Sequence, residues 1–106
     1  MNEEQMQLLG EKVVEVLHNV YDPEIPVDIY ELGLIYDVRV SELGSIEIDM
    51  TLTSPSCPVA ESMPEEVKQK VSSLDEVTDV DVIMVFEPTW TKEMMSEEAK
   101  LELGFL

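Results

Sequence analysis

Positive charge is what this chain has least of. Its 106 residues hold six Lys and Arg against 24 Asp and Glu, a formal net charge of −18. A surface of that sign repels phosphate backbones and anionic headgroups, which argues against nucleic acid and membrane surfaces as partners. It suits a well-solvated protein, with attraction to a basic partner as the other reading. Cysteine is nearly missing: Cys57 stands alone, so no internal disulfide can form. Histidine is equally scarce, with only His18. No apolar run approaches the length of a bilayer span. The opening MNEEQMQLLGEK has neither a cationic nor an apolar region, so no secretory signal is expected. The expectation is a soluble cytoplasmic chain whose thiol stays reduced.

What is present suffices for a core. Hydrophobic residues make up 44% of the chain, too many for disorder despite the charge. One domain over residues 1–106 is expected. No repeat, low-complexity tract or composition break divides it.

The apolar periodicity gives an order of elements. Met6, Leu9, Val13, Val16, Leu17 and Val20 recur at helical spacing, which predicts a helix over residues 4–20, stopped by Asp22-Pro23. The next segment, to Gly33, holds two prolines yet also Ile25, Val27, Ile29 and Leu32, so it should pack down as a loop. Residues 34–40 alternate, with Leu34, Tyr36, Val38 and Val40 on one face and Asp37 and Arg39 on the other. A hairpin turn at residues 41–45 leads to a second strand over 46–53. There Ile46, Ile48, Met50 and Leu52 should face inward, with Glu47, Asp49, Thr51 and Thr53 opposite. Met63, Val67, Val71 and Leu74 mark a second helix. Its start lies near Ser62, where Ser62 and Glu65 have capping-box spacing, or at Pro58 with a kink at Pro64. A third strand over 77–87 would turn Val80, Val82, Met84 and Phe86 inward, and a short helix over 96–103 would end at Gly104. The fold class is α+β: helix-strand-strand-helix-strand with a short C-terminal helix. Its three-stranded mixed sheet carries helices packed on one face. The second helix should join parallel strands. The neighbour of the third strand is left open.

This order puts Cys57 in the loop before the second helix, between Pro55 and Pro58. Loops on a rigid scaffold often carry sites, and a helix N-terminus favours a thiolate. The alternative is a small inert thiol acting as a hydrophobe. His18, late in the first helix, reads as a surface or interface residue, so a Cys–His nucleophile lacks its base. A four-ligand zinc site is short of donors. Iron–sulfur clusters are usually held by four cysteines, and a homodimer would supply two. Such a cluster would be labile and suited to transfer. Further polar candidates are Asp22, Glu24, Thr51, Thr53, Ser54, Glu87 and Trp90. The ends of strands two and three bring several of them together if those strands are parallel. Plain readings stand beside these: turn residue for Asp22, strand-facing threonines, and an anchor for the tail in Trp90, the sole tryptophan. The seven methionines read as core filler.

Three motifs in order resemble the SufT-like iron–sulfur cluster assembly family: DPEIPVDIYELGLIY at 22–36, TLTSPSCP at 51–58 and FEPTWTKEMMSEEAK at 86–100. That family takes in the bacterial PaaD proteins of the phenylacetate pathway and a cytosolic iron–sulfur targeting factor of eukaryotes. The resemblance covers residues 14–104. It implies three strands with packed helices, and a role as carrier, adaptor or targeting factor in maturing iron–sulfur proteins, not as an enzyme. The family's reactive or cluster-binding cysteine falls on Cys57, with Thr53 as the threonine of its segment. The acidic segment falls on Asp22, Pro23 and Glu24, and the E-P-x-W segment on Glu87, Pro88 and Trp90. Thr89 stands where many relatives carry proline. Implied partners are the assembly machinery and apo-client proteins. The implied cofactor is a labile iron–sulfur cluster shared with a second subunit or partner, and Cys57 is the metal ligand. The alternative is a metal-free adaptor between proteins.

Overall fold

The computed structural model describes residues 2–21, 27–52 and 62–104. Helix α1 spans Glu3–Leu17. Asn2 opens it: its side chain accepts from the Gln5 amide at 2.8 Å, and the Gln5 side chain accepts from the Asn2 amide at 3.0 Å. Glu3 and Glu4 sit in the first turn, where the helix dipole favours them. Leu9, Val13 and Leu17 recur every four residues and are buried.

The helix stops three residues earlier than its apolar pattern suggests. His18, Asn19 and Val20 close a turn through bonds to Val14, Val16 and Leu17 carbonyls. Val20 then leaves the helical path, because its carbonyl accepts from the Ile29 amide at 2.8 Å. A bridge between Tyr21 and Asp28 completes this pairing. The apolar period ran on because Val20 is buried by that pairing rather than by helix. As expected of the loop, Val27, Ile29 and Leu32 are buried; Ile25 lies outside the described residues.

Strands β1 (Ile35–Val40), β2 (Ser45–Met50) and β3 (Asp79–Met84) form one sheet in the order β1-β2-β3. The third strand therefore neighbours the second. β1 and β2 are antiparallel and β2 and β3 parallel. The β1–β2 turn closes with the Ser41 amide on the Ser45 carbonyl, and Gly44 takes a positive φ of 84°.

A bulge between Ile35 and Asp37 breaks the expected alternation in β1. Ile35 pairs with Met50 and Asp37 with Asp49, so Tyr36 is the extra residue and leaves the row of Val38 and Val40. β2 is shorter than expected, ending at Met50, although Ile46, Ile48, Met50 and Leu52 are all buried as foreseen. β3 also ends early, because β2 offers it no partner beyond Met50 except the carbonyl bonded by Val85. Phe86 is consequently exposed rather than inward.

Helix α2 (Ser62–Ser72) turns Met63, Val67 and Val71 into the core. Pro64 sits in its first turn, where its missing N–H costs no helical bond. The alternative start at Pro58 lies outside the described residues. α1 packs on β1, α2 on β3, and the two helices on each other, so both cover one face of the sheet. Ile46 and Ile48 of the central strand are fully buried beneath them. Burial of such a side chain contributes roughly 1.5–3 kcal/mol. Helix α3 (Glu97–Glu102) is capped by Ser96 and followed by Gly104 at positive φ, as its sequence implies. Among the described residues no helix is long and apolar enough to cross a membrane.

The other sheet face carries charge. Arg39 forms a bidentate pair with Asp49 at 2.8 and 2.9 Å and reaches Asp37 at 2.8 Å. Its hydrogen bonds hold the Asp49 carboxyl below the usual range. The folded chain thus favours the ionised carboxylate, and this stability exists above the unfolded carboxyl range and is lost as pH falls through the folded value. Asp49→Asn should destabilise at neutral pH. The gap from wild type should narrow as pH falls below about 4 and close in strong acid. Urea melts at a series of pH values measure it; a gap independent of pH would refute the ion-pair account.

Candidate functional site

Parallel pairing sends β2 and β3 out at the same end of the sheet. Their last pair is Met50 with Met84, and the Val85 amide then bonds the Met50 carbonyl at 2.9 Å. From β2 the chain continues through Thr51 and Leu52 into the segment that holds Thr53, Ser54 and Cys57. Those three residues, with Asp22 and Glu24, lie outside the described residues. From β3 it continues through Glu87 to Trp90.

Thr51 is 1% exposed, not on the open face where alternation puts it. Its amide donates to the Leu34 carbonyl at 2.8 Å, which turns it inward past the end of the strand. Its side chain hydrogen-bonds the Tyr36 hydroxyl. That hydroxyl also donates to the Pro88 carbonyl at 2.6 Å and lies 3.4 Å from the Met94 sulfur. Burial pushes the Tyr36 hydroxyl pKa up, and the Thr51 hydrogen bond pulls it partly back. Tyr36 thus ties the ends of β1 and β2 to the tail. Sequence reasoning missed this role, because the bulge that frees Tyr36 leaves no mark in the apolar pattern.

Beside this knot lies an open, largely apolar depression of about 470 Å³, lined by Gly33, Ile35, Tyr36, Pro88 and Met94. Glu87 is exposed next to Pro88. Trp90 is half-buried against the core, and its indole N–H donates to the Leu32 carbonyl at 2.8 Å. Of the sequence candidates, then, Thr51 sits inside the knot, Glu87 stands in solvent and Trp90 joins the tail to the loop before β1. His18 is on the surface as expected, its Nδ1 3.2 Å from Asp28 and its ring stacked at a tilt on Tyr30. Among the described residues no group of three or more His, Cys, Asp and Glu could hold a metal ion.

The family model described as iron–sulfur cluster assembly protein matches residues 10–82. This chain belongs to that family. The chain is 53% identical over its whole length, and over all of the relative, to an Fe-S protein maturation auxiliary factor of Porphyromonas gingivalis. It is 45% identical to the Fe-S protein maturation auxiliary factor SufT of Staphylococcus aureus, covering 80% of this chain and 97% of that one. Among solved structures, a domain of unknown function from Bacillus anthracis superposes with a TM-score of 0.92 at 40% identity, covering 99% of this chain and all of that one. The family resemblance carried by the three motifs is thereby met, and the assembly-family fold is the helix-strand-strand-helix-strand-helix order described above.

Proposed function

We propose that this protein is an accessory factor in the maturation of iron–sulfur proteins, delivering a cluster to apo-proteins rather than catalysing a reaction of its own. Full-length similarity to a maturation auxiliary factor carries the reading. Cys57 is the candidate ligand or transient acceptor, with Asp22, Glu24, Thr51, Thr53, Ser54, Glu87 and Trp90 as candidate pocket residues. The geometry supports this in one respect. The two parallel strands end side by side, and Thr51, two residues before the segment bearing Cys57 in sequence, is held in the Thr51–Tyr36–Pro88 knot. The cluster is cargo here. A lone thiol leaves most cluster positions to a second chain, a partner or a small thiol, which makes release easy.

Anaerobic reconstitution with iron and sulfide, followed by desalting, tests the proposal. Wild type should retain iron and colour and pass the cluster to an apo-ferredoxin; Cys57→Ser should lose both. Retention and transfer by Cys57→Ser at the wild-type level would remove Cys57 from the role. If neither protein holds iron, a metal-free adaptor that docks maturation partners becomes the better reading.

A further inference from the structure

β1 is an outer strand, and among the described residues no strand lies beyond it. The Ser41 amide bonds the Ser45 carbonyl, so by antiparallel alternation Arg39 and Asp37 point their backbone groups toward β2. Val38 and Val40 then point theirs outward. Among the described residues the Val38 N–H has only a local partner, the side chain of the adjacent Asp37 at 3.0 Å. On the helix side of this edge, Val38 lines an open groove of about 410 Å³ with Gln7, Gly10, Glu11 and Val14. On the opposite face Asp37 and Arg39 flank Val38, one of each sign.

That pattern is self-complementary. We infer that the free edge of β1 pairs antiparallel with the β1 edge of a second copy of this chain, about a two-fold axis through Val38. In that register Val38 meets Val38 of the second copy as a hydrogen-bonded pair. Asp37 meets Arg39 of the second copy, and Arg39 meets its Asp37. The Val38 N–H exchanges its local carboxylate for a backbone carbonyl, which frees one Asp37 oxygen for the guanidinium opposite while the other stays on its own Arg39 at 2.8 Å. Valines from both copies share the helix-side groove, and the small side of α1 at Gly10 leaves room for it. The sheet becomes six strands, and two outer edges are removed at once. A second copy fits better than a basic partner, because a purely cationic strand would set like charge opposite Arg39. This inference does not depend on the iron–sulfur reading and is tested without metal.

Metal-free wild type is run by sedimentation velocity from about 1 μM to about 1 mM, the span in which a modest interface associates. Salt is held near 0.3 M, where a screening length below about 8 Å mutes the repulsion between two chains of like charge. The mass should rise from one chain toward two. Asp37→Lys sets a lysine against Arg39 in both symmetry-related pairs while leaving the Arg39–Asp49 pair intact. It should weaken association about tenfold or more. Mixing Asp37→Lys with Arg39→Glu restores opposite charges in both pairs and should restore the dimer. Because Arg39→Glu also strips Asp49 of its partner and can fail to fold, Val38→Pro is measured beside it. It removes an outward N–H together with the valine side chain that lines the groove, leaves the β1–β2 ladder bonds in place, and should abolish pairing while the far-UV dichroism is kept. A wild type that stays monomeric to the top of the range overturns the inference. So does an Asp37→Lys chain that associates as tightly as wild type.

Discussion

Replacing Gly33 with alanine should destabilise the fold by about 3 kcal/mol and loosen the tail from residue 88 onward. Gly33 has a φ of 81°, which by itself costs an alanine about 1–2 kcal/mol. The larger difficulty is contact. A Cβ at this position would overlap the Met94 carbonyl oxygen, with the Met94 carbonyl carbon at 2.8 Å and its Cβ at 3.1 Å. Met94 cannot yield alone. Its amide is bonded to Thr91 and the next amide to Lys92, within the 3-10 turn Lys92–Met94. Gly33 itself lies between Leu32 and Leu34, both fully buried. Something must therefore shift, and the less buried partner is the tail. Urea denaturation gives the loss, and hydrogen exchange locates it in residues 92–104. Gly104→Ala is the control. It has the same φ of 81° but nothing within 4 Å of the new methyl, so it should lose only about 1 kcal/mol. Equal losses at the two positions would show that the Met94 contact is not the cause.

The same junction explains what the sequence made legible. Periodicity sufficed for the presence and buried faces of the helices and β2, though not for where α1 and β2 end, because Leu9, Val13 and Leu17, Val67 and Val71, and Ile46 and Ile48 each face one common layer. The parallel crossover followed from chain economy, since a helix between neighbouring strands implies it. What escaped were features set by pairing rather than by side-chain type. The bulge at Tyr36 is a register event, and neither Tyr36 nor its neighbours announce it. The early ends of β2 and β3 reflect where their partners stop. Thr51 is buried because Leu34 and Tyr36 claim its amide and hydroxyl, whereas strict alternation would leave it outside with Asp49. The site shares this limit. Its motifs pick out Thr51, Glu87 and Trp90 by type, yet Tyr36, which holds the Thr51 side chain and the Pro88 carbonyl in one knot, closes the first motif without a role assigned to it beyond the apolar face.

Trp90 separates two roles that the sequence left side by side, anchor of the tail and wall of a pocket. Its indole N–H donates to the Leu32 carbonyl at 2.8 Å, and its ring packs against the core from a half-buried position. An anchor should behave in a graded way. Trp90→Phe keeps an aromatic ring but leaves the Leu32 carbonyl without that donor, a loss of about 1 kcal/mol. Trp90→Ala removes the ring as well and should cost about 2–3 kcal/mol, below the loss for a fully buried tryptophan because part of this ring already faces solvent. Both variants should release the Ser96 amide from the Glu31 carbonyl, since that bond lies further along the same docked tail. Thermal melts and exchange of the Ser96 amide measure the two effects together. If both variants melt like wild type while cluster transfer collapses, Trp90 belongs to the pocket and not to the frame. If stability falls in the graded order and transfer falls only in proportion to the folded fraction, the tail's anchor is all that Trp90 supplies.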